Sequence, residues 1–305
     1  MAWWIRPLLR LIAALVLPLL VPAVITGVLW ALPGDPANIM CPGCSGTAAL
    51  AQSWHLDQGP LHFYRWWIGN AFGGDLGTSW RVMQGQKIVS MLVDDGYLVN
   101  TVLLVVMAFI PVVFGMFASA KGWISSKLDV VWNGAGLTPS VILALFATAY
   151  VTITYGASSH DGWPAWLRLI LGAGVLGLAD GMFSGAVIGT RSVFAEETKQ
   201  RYVQMAILRG EREFTNALPN VLPALIGQLR ARILLMLSGV VIVEVVLDVV
   251  GIGSLLWSGT LKQDFGVVLA ATFMFAVFSS VLLVLQALAE IALNIFIRYA
   301  PVEAS

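Results

Sequence analysis

Between Arg10 and Asp35 the chain carries no charged residue. An apolar run of that length is what a helix needs to cross the hydrocarbon core of a bilayer, roughly 20 residues. Arg6 and Arg10 precede it and no signal-peptide cleavage pattern follows, so the segment is expected to stay in the membrane. Comparable runs recur near 99–118, 134–153, 167–189, 230–250 and 267–297. With the first, near 9–31, they predict six crossings. Composition agrees: 58% of the 305 residues are hydrophobic and 11% are charged, against about 25% charged in a soluble domain. The expected fold class is therefore all-α: a polytopic membrane protein with six transmembrane helices. Pro18, Pro22, Pro111 and Pro139 lie inside these runs and are tolerable there, because neighbouring helices re-satisfy freed backbone groups. A net charge of zero, with no basic cluster interleaved with aromatics, excludes nucleic acid as a partner.

Charge sets the expected orientation. With the N-terminus in the cytoplasm, Arg65, Arg81, Lys87, Arg168 and Lys262 fall outside, and the remaining twelve of the seventeen Lys and Arg fall inside. The positive-inside bias then places both termini in the cytoplasm. Two connections are long. Residues 32–98 are expected outside, as short helices lying on the membrane, with Trp54, Tyr64, Trp66, Trp67 and Trp80 as interfacial anchors; receiving a binding protein or substrate is the alternative role. Residues 190–229 are expected inside, as a charged helix, a turn at Arg209-Gly210 and an apolar return.

Cys41-Pro-Gly-Cys44 follows the first run. Outside the cytoplasm thiols oxidise, so Cys41 and Cys44 are read as a local disulfide. Free thiols are the alternative, and a metal site with His55 or His62 lacks a complete tetrahedral ligand set. Asp180, Glu244, Asp248 and Glu290 lie in or near spans, where ionisable groups line water or pair with each other. Glu244 and Asp248 are four apart, hence on one face if helical, and with Asp180 are candidates for a translocation path. Structural hydrogen bonding is the competing role. The small residues from Gly172 to Gly189 suit close helix packing.

Several stretches occur in a telling order: LPGDPA (Leu32–Ala37), LDQGPLHFYRWWIGNAFGGDLGTSW (from Leu56), NTVLLVV (from Asn100), GLTPSVILAL (around Pro139), TRS at 190–192 with YV at 202–203, and VIVEVVLDVVGIGSLLWSGTLKQDFGVV (through Glu244 and Asp264). Together they resemble the permease subunits of dipeptide, oligopeptide and nickel ABC transporters. The resemblance implies the type I ABC importer permease fold in a bacterial inner membrane. Residues 1–98 would form the first helix and outer segment, and 99–300 a five-helix core with the coupling loop at 190–229. It implies a second permease, two ATP-binding subunits and an extracytoplasmic solute-binding protein as partners, besides the lipid bilayer. Peptide uptake is the default function; nickel or another small solute, in either direction, and a non-transporting scaffold are the alternatives. No Walker A pattern is present, so the chain is expected to be non-catalytic and without cofactor, with ATP and Mg held by the partner ATPases.

The resemblance also assigns ATPase coupling to Ala206, Arg209, Gly210, Glu211, Arg212 and Asn216. The sequence departs from the pattern there. Gln204-Met205-Ala206 replaces an acidic stretch, and the interval from Gly210 to Leu218-Pro219-Asn220 is about four residues short, close to one helical turn.

Overall fold

A computed structural model describes residues 5–40, 46–155 and 163–299. The described residues are helical apart from turns and one isolated antiparallel bridge, Thr78 with Lys87. Fourteen α-helices account for most of them, and contact clustering divides the chain into two compact units.

One unit comprises Ile12–Val102 and Asp248–Val281. It contains most of α1 (Ile5–Ala31), then four short helices: α2 (Pro36–Met40), α3 (Thr47–Ser53), α4 (Pro60–Phe72) and α5 (Ile88–Val93). The first turns of α6 (Tyr97–Ala120) follow, with α13 (Ile252–Leu261) and the first half of α14 (Phe265–Tyr299). Pro18 and Pro22 lie within α1 and Pro111 within α6 without ending either helix. The short helices pack on one another and on α13 and α14 around a shared core. Trp54 and Trp67 are 3% and 1% exposed, in a core with Phe63, Ile88, Ile252 and Phe273. Trp54 stacks on Phe63 at 6.3 Å, and Trp67 meets Phe273 edge-on at 5.5 Å. Tyr64, Trp66 and Trp80 are half-buried, and the Tyr64 hydroxyl donates to the Leu19 carbonyl at 3.0 Å. The interfacial-anchor expectation is corrected for Trp54 and Trp67, because an aromatic ring buries more apolar area inside a protein core than it can at a membrane surface.

A buried carboxylate clasps this unit. Asp264, fully buried at the start of α14, accepts from the Ser79 hydroxyl (2.7 Å) and from the amides of Trp80, Arg81 and Val82 (2.8–3.1 Å). Burying a charge is costly unless donors compensate, and here consecutive backbone amides do so. Gly77, at φ +88°, makes the bend before them; a Cβ there would stand 2.9 Å from the Trp54 ring.

The other unit comprises Met1–Leu11, Leu103–Leu247 and Leu282–Ser305. It holds the rest of α6, α7 (Asp129–Gly136), α8 (Ser140–Tyr155), α9 (Ala165–Leu178), α10 (Met182–Glu197), α11 (Arg201–Leu208) and α12 (Glu213–Val246), with the ends of α1 and α14. Helix α12 packs on α8, α9 and α10. Small residues permit the close approach expected of Gly172 to Gly189: a Cβ on Gly172 would stand 2.9 Å from Leu104 and 3.2 Å from Val243. Arg10 on α1 pairs with Glu290 on α14, and Gln286 donates to the same carboxylate at 2.9 Å.

Among the described residues, four helical stretches are long and apolar enough to cross a membrane: Leu8–Ala31, Ile88–Ala120, Ala165–Glu197 and Phe265–Leu293. The two other expected crossings take a different form. The run at 134–153 is divided, because Pro139 disfavours a helix at the preceding residue. Helix α7 ends at Gly136 and α8 starts at Ser140, leaving an apolar helix of 16 residues, about 24 Å long. Most of the run at 230–250 lies in the 34-residue α12, which ends at Val246, and Arg230, Arg232 and Glu244 dilute its apolarity. The run at 167–189 is helical but interrupted. A 3₁₀ turn, Ala179–Gly181, separates α9 from α10, with Asp180 left-handed at φ 51°.

Candidate functional site

The loop singled out in the sequence folds as a tight helical hairpin, α11 against the start of α12. Val203 of α11 packs with Ala217 and Val221 of α12 in one cluster, and Ala206 of α11 is likewise nearly fully buried. The turn follows from glycine chemistry. Gly210 sits at φ +84°, in the left-handed region. Its N–H donates to the Ile207 carbonyl (2.9 Å) and the next N–H, of Glu211, donates to the Ala206 carbonyl (3.0 Å). This pair of bonds is the Schellman helix stop, and it satisfies carbonyls that the end of α11 would otherwise leave bare.

The six residues assigned to coupling fall into two groups. Arg209, Gly210, Glu211 and Arg212 are exposed at the turn. Ala206 points into the hairpin core, and Asn216 is half-buried one turn into α12, its amide donating to the Arg212 carbonyl at 3.1 Å. Arg209 Nε donates to Glu211 at 2.8 Å. That bond, with a further hydrogen bond from Asn216, holds the Glu211 carboxyl below the usual glutamate range. At the foot of the hairpin the Tyr202 phenol donates to Glu197 and accepts from Asn220 Nδ2 at 2.7 Å. Burial, then the Glu197 hydrogen bond, raises its pKa.

Sequence reasoning missed two features here. Met205, Ile207 and Leu208 project outward from α11, with Met205 58% and Leu208 80% exposed. The signal was present as a second apolar set on a short helix: Val203 and Ala206 form one stripe, Met205 and Leu208 another three apart. The second feature is how the hairpin base is held. Phe194 stacks on Phe214 at 5.5 Å, and the Lys121 ammonium sits 4.0 Å from the Phe214 ring centroid, a cation–π contact. Arg191 pairs with Asp129 and donates to the Ile124 carbonyl at 2.9 Å. The 121–129 segment is thereby fastened to the hairpin through Lys121 and to α10 through Arg191.

The three acidic candidates of the translocation path occupy unlike settings. Glu244 is fully buried near the end of α12. Asp248 lies beyond that helix, exposed and left-handed at φ 52°. Since α12 stops at Val246, the four-residue spacing does not put the two on one helical face. Asp180 is exposed, and its carboxylate accepts from the Ser140 N–H at 3.3 Å, favourable placement for an anion at the start of α8. Asp180 therefore has a partner that its sequence surroundings did not reveal. Cys41 and Cys44 lie outside the described residues. The His55 and His62 rings are 5.6 Å apart, with His55 also 4.9 Å from Trp66. No cluster of three or more His, Cys, Asp or Glu suited to a metal occurs among the described residues.

Residues 102–293, the stretch containing the hairpin and Glu244, match the family described as "Binding-protein-dependent transport system inner membrane component". The glutathione transport system permease protein GsiC of Pectobacterium atrosepticum is 27% identical over 314 residues, covering 97% of this chain and 99% of that protein. The proteins of the same name from Salmonella choleraesuis and Escherichia coli O6:H1 are 28% and 27% identical over 283 and 285 residues, covering 88% of this chain and 90% of each. The shared order of motifs, the long apolar helices and this match over well over half the chain have one reading: the protein belongs to the binding-protein-dependent transport system inner membrane components, as a permease subunit of an ABC transporter of the dipeptide, oligopeptide and nickel type.

Proposed function

We propose that this chain is one of two permease subunits of an ATP-driven peptide importer, with glutathione, the cargo in its relatives' names, as the first peptide to test. The observation that carries the reading is the α11–α12 hairpin. It offers a compact face, Met205 and Leu208 beside the Arg209–Glu211 pair, at the head of the helix that bears buried Glu244. A short apolar ridge with charges at its edge suits a groove in a soluble partner, here one of two ATP-binding subunits. Arg209, Gly210, Glu211, Arg212 and Asn216 shape that face, and Ala206 holds it from within. ATP and Mg belong to the ATPases, and this chain is non-catalytic. A solute-binding protein delivers cargo from outside, and Glu244, Asp248 and Asp180 border the route inward.

The membrane arrangement proposed is six crossings, with α8 and α12 joining the four apolar stretches, and both termini in the cytoplasm. The Arg10–Glu290 pair supports an even number, since it sets the start of α1 and the end of α14 at one level. Residues 1–98 supply the first crossing and the outer segment. Residues 99–300 supply the core, with the coupling loop at 190–229.

The test is purification of the tagged chain from its native membrane in mild detergent, followed by mass spectrometry and by uptake of labelled glutathione in cells with and without the gene. An ATPase and a second permease are expected to be retained, and uptake to depend on the gene. Retention of neither partner, under conditions that keep a control ABC complex whole, refutes the transporter reading. Retention without gene-dependent uptake refutes glutathione alone.

A further inference from the structure

Arg232 lies on α12, nineteen residues past Glu213, about 28 Å along the helix. Its guanidinium enters a cavity of about 270 Å³ whose walls include Asn133, Gly136, Gly181, Ser184, Gly185 and Gly189. The glycines make room for it: a Cβ on Gly185 would stand 2.3 Å from Arg232 Nη2. Across the cavity, a Cβ on Gly136 would stand 2.1 Å from the Ser184 hydroxyl. Any side chain at either position would therefore displace a polar group from the wall.

The charge is under-used. A guanidinium offers five N–H donors. Among the described residues Arg232 makes one hydrogen bond, from Nη1 to the Gly181 carbonyl at 2.9 Å. No acidic residue lines the cavity. Asp180, the neighbour of Gly181, turns its carboxylate to the Ser140 amide instead. One turn earlier on α12, Gln228 packs its amide against Gly189, and its Oε1 is buried without a hydrogen-bond partner. The cavity thus holds guanidinium donors that the described residues leave unused. A cation in a membrane helix without a partner is costly, whereas a planar guanidinium with Ser and Asn donors around it matches a carboxylate.

We propose that this cavity is a carboxylate-binding site, with Arg232 as the group that holds the anion. The proposal rests on the peptide-import reading. The carboxylate has two sources: the cargo as it passes, or an acidic side chain of the second permease. The cavity is smaller than the roughly 300–1,000 Å³ of ordinary ligand pockets. It takes the carboxylate end of a peptide or one acidic side chain, and no more.

The complete transporter in proteoliposomes tests this, with labelled dialanine and its C-terminal amide as probes and Arg232→Gln and Arg232→Lys as variants. If the cargo supplies the anion, the wild type prefers the free acid. Arg232→Gln then lowers acid uptake about 10- to 100-fold, the worth of a charge-assisted hydrogen bond, and leaves amide uptake unchanged, while Arg232→Lys recovers part. If the second permease supplies it, Arg232→Gln lowers both uptakes alike and loses that subunit on purification, whereas Arg232→Lys keeps it. Equal uptake of both probes by wild type and Arg232→Gln, with assembly unchanged, overturns the proposal, as does an equal loss of both with assembly intact. Should the wild type take up neither probe, dialanine is not a cargo, and the peptide reading stands or falls on glutathione uptake by the same proteoliposomes. The site is then read from phenylglyoxal labelling of Arg232 in the wild-type complex. Severalfold slowing by acetate, and not by acetamide, supports the site; no difference overturns it.

Discussion

Replacing Gly210 by alanine isolates the conformational cost of the α11–α12 turn, because nothing lies within 4 Å of the Cβ that would be added. No steric clash contributes, and the whole effect comes from holding an L-residue at φ +84°. That costs roughly 1–2 kcal/mol, which shifts a local equilibrium about 5- to 30-fold. The bonds at stake are those from the amides of Gly210 and Glu211 to Ile207 and Ala206. In the assembled transporter, hydrogen–deuterium exchange of a peptide covering 205–214 is expected to quicken by that factor in Gly210→Ala. Gly210→Asn should fall between, since asparagine enters the left-handed region more readily, and Gly210→Val should exceed alanine because its branched Cβ tolerates positive φ least. Cargo-stimulated ATP hydrolysis is expected to fall in the same order. Alanine, asparagine and glycine proteins that exchange at one rate would show that the left-handed residue does not hold the turn, and the reasoning would fail.

Met205→Ser with Leu208→Ser removes the outward apolar ridge without touching buried Val203 or Ala206. It is expected to lower ATPase co-purification at least tenfold while the chain still reaches the membrane, measured by quantitative blotting of the tagged complex. Trp67→Ala should destabilise the outer core by about 3–5 kcal/mol, seen as a lower midpoint of thermal aggregation in detergent; an unchanged midpoint would contradict the burial of that ring. Glu211 has its folded pKa below the ordinary value. Its contact with Arg209 is therefore present above about pH 4.3 and lost as pH falls further through the depressed value. Divided by the intrinsic exchange rate at each pH, exchange around the turn should rise on acidification in the wild type and stay flat over that range in Glu211→Gln.

Helices α1, α6 and α14 were legible in the sequence because each contains a long apolar run, and the prolines within α1 and α6 are of the kind a membrane helix tolerates. The interruption at Ala179–Gly181 was not. Asp180-Gly181 sits in a stretch of small residues that reads as continuous helix, and the left-handed Asp180 depends on its distant bonds to Thr138 and Ser140. Pro219 and Pro223 are helix breakers by their own chemistry, yet α12 runs through both as it packs on α8, α9 and α10. At the hairpin, Gly210 was readable as a turn from its own chemistry. The inward position of Val203 was not, since it depends on Ala217 and Val221 arriving from the next helix. The outer Trp residues looked alike in sequence, and only the fold separates buried Trp54 and Trp67 from half-buried Trp66 and Trp80, which pack against the edge of the same core.

The two prolines of α12 have a mechanical consequence. Neither has an N–H, so the carbonyls of Thr215 and Pro219 each lose the usual partner four residues on. Two missing rungs one turn apart make 215–223 the most compliant part of a helix otherwise stiff over about 50 Å. The hairpin end is meanwhile braced through Phe214 by Phe194 and Lys121. A displacement applied at Gly210 therefore moves the braced end as one piece and is spent partly in bending at the prolines. What reaches Arg232 and Glu244 is a tilt of the remaining shaft rather than a full axial stroke.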